Sequence, residues 1–133
     1  MIVLDASITV TWLLDEPSAS DLESVLSTER IIVPSHWTVE VGHAILKALR
    51  RNTIRQEQLV GIASDLDGLS ISIQPPIDVA AIVPLLNFAW EHGLTMYDAG
   101  YVQLALNRTA KLATLDKAMG QTAAKLGIEM LVE

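Results

Sequence analysis

Asp5, Glu40, Asp98 and Asp116 are the residues of this 133-residue chain best suited to do chemistry together. Each stands where the chain is expected to change direction, in the settings Val3-Leu4-Asp5-Ala6-Ser7, Trp37-Thr38-Val39-Glu40-Val41, Thr95-Met96-Tyr97-Asp98-Ala99 and Ala113-Thr114-Leu115-Asp116. Three of the four are ringed by apolar side chains, and a carboxylate in such surroundings loses hydration at a free-energy cost unless something compensates it. Converging carboxylates also repel one another, and a divalent cation relieves both penalties. Carboxylate oxygens are hard ligands, suited to Mg²⁺ or Mn²⁺ rather than zinc. Such an ion can polarise a phosphoryl group, generate hydroxide from water and stabilise a leaving oxygen. Thr114 and Ser7, near two of the acids, could orient a carboxylate or a water on the metal.

The elements that must position these acids follow from short apolar runs and helical periodicity. Met1–Leu4 and Ile31–Val33 read as buried strands, and Lys111–Leu115 and Ile128–Val132 as two more. Leu69–Gln74 alternates Ile and Ser, the pattern of a half-buried edge strand, and is closed by Pro75-Pro76. Helices are expected over Ser7–Leu14, stopped by Asp15-Glu16-Pro17, and over Ser18–Leu26. Ser35 can cap a long helix to about Asn52, with Trp37, Val41, Ala44, Ile45 and Ala48 as its core stripe. Thr53 with Gln56 forms a capping-box pattern opening a helix to about Leu66. Asp78–His92 reads as a helix kinked or split at Pro84 and ended by Gly93; Thr95 then caps Met96–Asn107. A last helix runs over Lys117–Leu126, closed by Gly127. Short apolar strands alternating with helices predict an α/β sandwich with a mainly parallel sheet, in one domain over 1–133.

In such a sheet, ligand sites gather beyond the carboxyl ends of the strands. Asp5 and Asp116 follow strands there, while Asp98 and Glu40 lie in the first and second turns of helices that begin near the same edge. Each acid also has a local alternative. Asp5 and Asp116 could cap the helices that follow them, and Thr95-x-x-Asp98 could be a capping pair. Glu40 could pair with Lys47 or with a histidine on its own helix. At about 100° per residue, His36, Glu40, His43 and Lys47 share one helix face. Glu40-x-x-His43 echoes a di-iron bundle motif, but no second copy of it exists in the chain.

Composition bounds the chemistry further. Half the residues are hydrophobic and 19% are charged, which argues against disorder. With no cysteine and three histidines, thiolate metal sites are excluded and a four-ligand histidine zinc site cannot be completed. No G-x-S-x-G elbow or Walker-type glycine loop is present. The net charge of −7 disfavours nucleic acid in general, yet Lys47, Arg50, Arg51 and Arg55 fall within one short stretch and form a candidate RNA contact. Trp12, Trp37 and Trp90 are expected in the core or at an interface rather than as base-stacking platforms. The longest apolar stretch, Val79 to Trp90, is interrupted by Pro84 and Asn87 and is too short to span a bilayer. The first residues lack the basic start and long apolar run of a signal peptide, so a soluble cytoplasmic protein is expected.

Four segments together carry a resemblance. Val3-Leu4-Asp5-Ala6-Ser7, Glu40-Val41-x-x-Ala44, Leu94-Thr95-x-Tyr97-Asp98-Ala99-x-Tyr101 and Leu112-Ala113-Thr114-Leu115-Asp116 resemble the PIN-domain proteins. More narrowly, they are similar to the VapC-type toxins of bacterial and archaeal toxin–antitoxin systems. The resemblance covers nearly the whole chain and implies a PIN-like sandwich with a central, mainly parallel sheet flanked by helices. It also implies a Mg²⁺- or Mn²⁺-dependent endoribonuclease, usually a homodimer, held inactive by a cognate antitoxin. The metal-site acids would be Asp5, Glu40, Asp98 and Asp116, with a supporting hydroxyl from Thr114. His43 stands where the family often has Asn, exchanging an amide for an imidazole. Two other classes compete. A PIN-like binding module without catalysis is one. A phosphorelay receiver is the other, and it would want adjacent acids after the first strand and a lysine at a late strand end; Asp5 stands alone and Lys117 lies beyond an acid.

Overall fold

Ile2, Val3 and Leu4, then Ile31, Ile32 and Val33, are apolar without alternation, as strands covered on both faces must be. In the computed structural model, which describes residues 1–14, 24 and 26–131, these runs form β1 (Ile2–Leu4) and β2 (Ile31–Val33). Two further strands are β3 (Ser72–Ile73) and β4 (Lys111–Ala113), and the sheet order is β3-β2-β1-β4 with every pairing parallel. The predicted mainly parallel sheet flanked by helices is therefore present.

The helices are α1 (Ala6–Leu13), α2 (Trp37–Arg50), α3 (Leu59–Gly68), α4 (Val79–His92), α5 (Met96–Arg108) and α6 (Lys117–Lys125). The stripe predicted for α2 faces inward: Trp37, Val41 and Ala48 are buried, and Ile45 packs on the core from its edge. The Trp37 indole N–H donates to Thr9 Oγ1 at 3.2 Å, and that hydroxyl donates to the Asp5 carbonyl at 2.8 Å, tying α2 to the start of α1. Helix α4 packs on α5 through Leu85 and Ala89 against Ala99. Among the described residues no helix is long and apolar enough to cross a membrane.

Several boundaries differ from the sequence reading, each for a local reason. The expected helix over Ser18–Leu26 and the stop at Asp15-Glu16-Pro17 lie outside the described residues, apart from Ser24 and Leu26. Ser35 does not cap α2; the chain turns earlier, with the Trp37 N–H donating to the Pro34 carbonyl, and His36 takes the cap position. The capping box falls two residues beyond Thr53 and Gln56. The Arg55 N–H donates to Gln58 Oε1 at 2.8 Å, opening a 3₁₀ turn (Gln56–Gln58) ahead of α3. Pro84 does not split α4, which is one helix capped by the Asp78 side chain and closed by Gly93 at φ 65°. Strand β3 is an edge strand as expected, but both its residues are exposed, because only β2 covers it. The strand expected over Ile128–Val132 is reduced to one parallel bridge, Met130 to Leu112, and Val132 lies outside the described residues.

Candidate active site

The chain leaves β1 for β2 and β3 on one side, then returns to β4 on the other side of β1. Beyond the carboxyl ends of β1 and β4 the topology therefore switches, which is where open parallel sheets hold ligands. Leu4 pairs with Ala113, so the residues that follow, Asp5 and Thr114, emerge side by side. The Asp5 N–H donates to the Ala113 carbonyl at 3.0 Å, extending the ladder by one residue.

Asp5 occupies the cap position of α1, yet its carboxylate makes no capping bond. Instead Oδ2 accepts from Ser7 Oγ at 2.7 Å and from Thr114 Oγ1 at 2.6 Å, and both Asp5 and Thr114 are buried. Two hydroxyls on one oxygen fix the carboxylate's orientation. Thr114 Oγ1 also accepts from the Asp116 N–H at 3.0 Å, and Ser7 Oγ from the Leu115 N–H at 3.3 Å. These bonds stitch the turn after β4 to Asp5. Asp116 does cap a helix, its Oδ1 accepting from the Met119 N–H at 3.0 Å, while its side chain remains exposed.

The other two acids come from the helices. Thr95 caps α5, with Oγ1 accepting from the Asp98 N–H at 3.0 Å. Burial pushes the Asp98 carboxyl up from its ordinary 3.8 to about 6, and the charges of Asp116, Asp5 and Glu40 add to the rise against a lowering bond from Thr95. Asp98 thus lies in the electric field of the other three acids. Tyr101, three residues on and fully buried, donates its hydroxyl to Glu40 Oε1 at 2.8 Å. Desolvation and that bond to Glu40 push the phenol's ionisation well above its usual range. His36 Nε2 stands 3.4 Å from the same Glu40 oxygen, so the histidine at the start of this helix is the one within ion-pair distance of Glu40 when its ring is protonated.

Among the described residues, no three acid or histidine side chains stand close enough as oriented to hold one metal ion. The donor chemistry nonetheless suits a hard cation: all four acids offer oxygen, the charges of Asp116, Asp5 and Glu40 raise the proton affinity of Asp98, and Asp5 is oriented by two hydroxyls.

The cationic residues divide. Glu40, His43, Lys47 and Arg51 line a single groove of about 480 Å³, walled further by Leu14 and Thr53. Arg50 and Arg55 are exposed but do not line it. The helix face shared by Glu40, His43 and Lys47 therefore becomes one side of a concavity leading away from the acids. Tyr101 is the residue whose contact with Glu40 the sequence left undrawn, because the two stand on different helices 61 residues apart.

A sequence profile of the PIN domain matches residues 2–125. The chain is 31% identical over 124 residues to ribonuclease VapC12 of Mycobacterium tuberculosis, covering 92% of each protein. It is 26% identical over 121 residues to ribonuclease VapC3 of Pyrobaculum aerophilum, covering 90% of this chain and 92% of the other. In structure it is similar to PAE2754 of Pyrobaculum aerophilum, solved by crystallography, with a TM-score of 0.71 and 21% identity over 97% of this chain and 82% of that one. This likeness shows a shared fold.

Proposed function

This chain belongs to the PIN-domain family and within it to the VapC type, and we propose that it is a metal-dependent endoribonuclease, the toxin of a toxin–antitoxin pair. Asp5, Glu40, Asp98 and Asp116 would hold Mg²⁺ or Mn²⁺, directly or through water. The observation that carries this reading is Asp98, whose carboxyl is raised to about 6 by burial and by its three fellow acids at the sheet's switch point. When bound, a divalent ion would polarise the phosphodiester and activate water near neutral pH. The residues around it supply order. Thr114 and Ser7 hold Asp5, and Tyr101 holds Glu40, so that two of the four carboxylates meet the substrate pre-oriented. Lys47 and Arg51, in the groove that starts at Glu40, would contact backbone phosphates, with Arg50 and Arg55 adding to the local field. His43, in the same groove, would meet the substrate there as well. The protein would act as a single domain in the cytoplasm and be silenced by an antitoxin.

The expected homodimer has a candidate surface. On α4, Val79, Ile82, Val83, Leu86 and Trp90 recur at helical spacing and are all exposed, Trp90 to 87%. A contiguous apolar face of this kind marks an interaction site in a soluble protein. Trp90→Asp is expected to convert the dimer to monomers by sedimentation velocity; an unchanged dimer would remove α4 from the interface.

The main reading is tested directly. Purified protein should cleave a single-stranded RNA oligonucleotide in millimolar Mg²⁺ or Mn²⁺ and lose that activity in EDTA. The same metals should raise the melting temperature, because they bind the native state only. A rival reading, an inactive binding module, draws on the absence of a preformed metal arrangement among the described residues. It predicts neither cleavage nor a metal-dependent thermal shift.

A further inference from the structure

Gly100 lies inside α5, where a glycine costs about 1 kcal/mol relative to alanine. No left-handed backbone explains it, since the positive-φ glycines are Gly93 and Gly127. A Cβ added at Gly100 would fall 2.6 Å from His36 Cε1, and the next two nearest atoms outside its own helix backbone are the two nitrogens of the same ring. The missing side chain is the seat of the His36 imidazole.

From that seat the ring touches both helices that carry acids. Nε2 is 3.0 Å from the Tyr97 carbonyl, and because a carbonyl only accepts, Nε2 carries the hydrogen. The Glu40 oxygen lies 3.4 Å from the same nitrogen. The ring packs edge-on against Tyr97 at 5.5 Å and Tyr101 at 5.1 Å, and Tyr101 in turn donates to Glu40. Tyr97 immediately precedes Asp98. We propose that His36 is a positioning residue: seated on Gly100, it sets Glu40 on α2 in register with the Asp98 turn of α5. The role concerns geometry and needs no change of charge on the ring. It rests on the ribonuclease reading for its catalytic consequence, but the clamp itself can be observed without activity.

Gly100→Ala leaves α5 helical and displaces only the far end of a side chain, so it moves the ring without deleting it. In cleavage of a fluorogenic single-stranded RNA, His36→Ala and Gly100→Ala should each lower kcat about tenfold with KM nearly unchanged, the scale lost when a residue supporting a metal-site ligand is removed. The double variant should be no slower than His36→Ala alone, because Gly100 acts only through His36. His36→Gln, which restores a donor toward the Tyr97 carbonyl, should recover most of the rate. The chain has two tyrosines, both against this ring, so the NMR signals of both tyrosine rings should move in Gly100→Ala while the melting temperature does not fall. Should the wild type cleave no RNA, the ribonuclease reading fails and the tyrosine signals still decide the clamp. Unmoved tyrosine signals, or losses that multiply in the double variant, would overturn it.

Discussion

Asp98→Asn is expected to lower metal-dependent RNA cleavage by at least about 10³-fold, as when one member of a catalytic unit is removed, while making the metal-free protein more stable at pH 7.5. The two effects have one cause. Burial first, then the charges of Asp116, Asp5 and Glu40, raise the Asp98 carboxyl from 3.8 to about 6. The folded state thus binds a proton more tightly than the unfolded chain, and stability falls as pH rises between those values. The cost is absent below pH 4 and complete above about 6. Two pKa units correspond to roughly 3 kcal/mol, which solvent screening of this half-exposed group reduces to about 1–2 kcal/mol. Asparagine keeps the shape and never ionises, so its advantage in melting temperature should be a few degrees at pH 7.5 and vanish at pH 4. Added Mg²⁺ should reverse the order at pH 7.5 by stabilising the wild type alone. A variant that still cleaves RNA with metal would remove Asp98 from the site, and one less stable at pH 7.5 would remove the repulsion argument.

Tyr101→Ala carries the largest stability change expected of a single substitution near the site. Tyr101 heads the fully buried side chains by volume, and emptying such a position costs about 3–5 kcal/mol. Against a typical total of about 5–15 kcal/mol, this leaves the protein marginal at 37 °C. Tyr101→Phe separates packing from polarity, because it keeps the ring and deletes the donor to Glu40. It should cost only about 1 kcal/mol by chemical denaturation yet slow cleavage about tenfold, the scale lost when support of a metal-site ligand is removed. A phenylalanine variant as active as the wild type would reduce Tyr101 to a packing residue.

Features that depend on one stretch of chain were legible in the sequence. The runs at Ile2–Leu4 and Ile31–Val33, and the pair Leu112 and Ala113, are apolar because strands covered on both faces must be, and that demand is written residue by residue. Thr95 and Asp116 cap helices through bonds three residues long, which spacing alone announces. The acids could be assigned to one sheet edge because strand ends and helix starts alternate along the chain. The tertiary structure decided whatever depends on a neighbour remote in sequence. Strand β3 and the segment at Met130 have strand-like composition, but pairing is a property of two segments, and each found one partner or a single bridge. The apolar periodicity of α4 is the same whether its stripe is covered or not; only the packing of Leu85 and Ala89 on α5 leaves Val79, Ile82, Val83, Leu86 and Trp90 facing outward. Tyr101 meets Glu40, and His36 meets Tyr97, across 61 residues of intervening chain. Spacing within either helix cannot announce such contacts. By itself the sequence determined the elements, the family and which acids are available. The fold decided which groups hold those acids, and how far Asp98 departs from an ordinary carboxyl, because desolvation and charge act through space rather than along the chain.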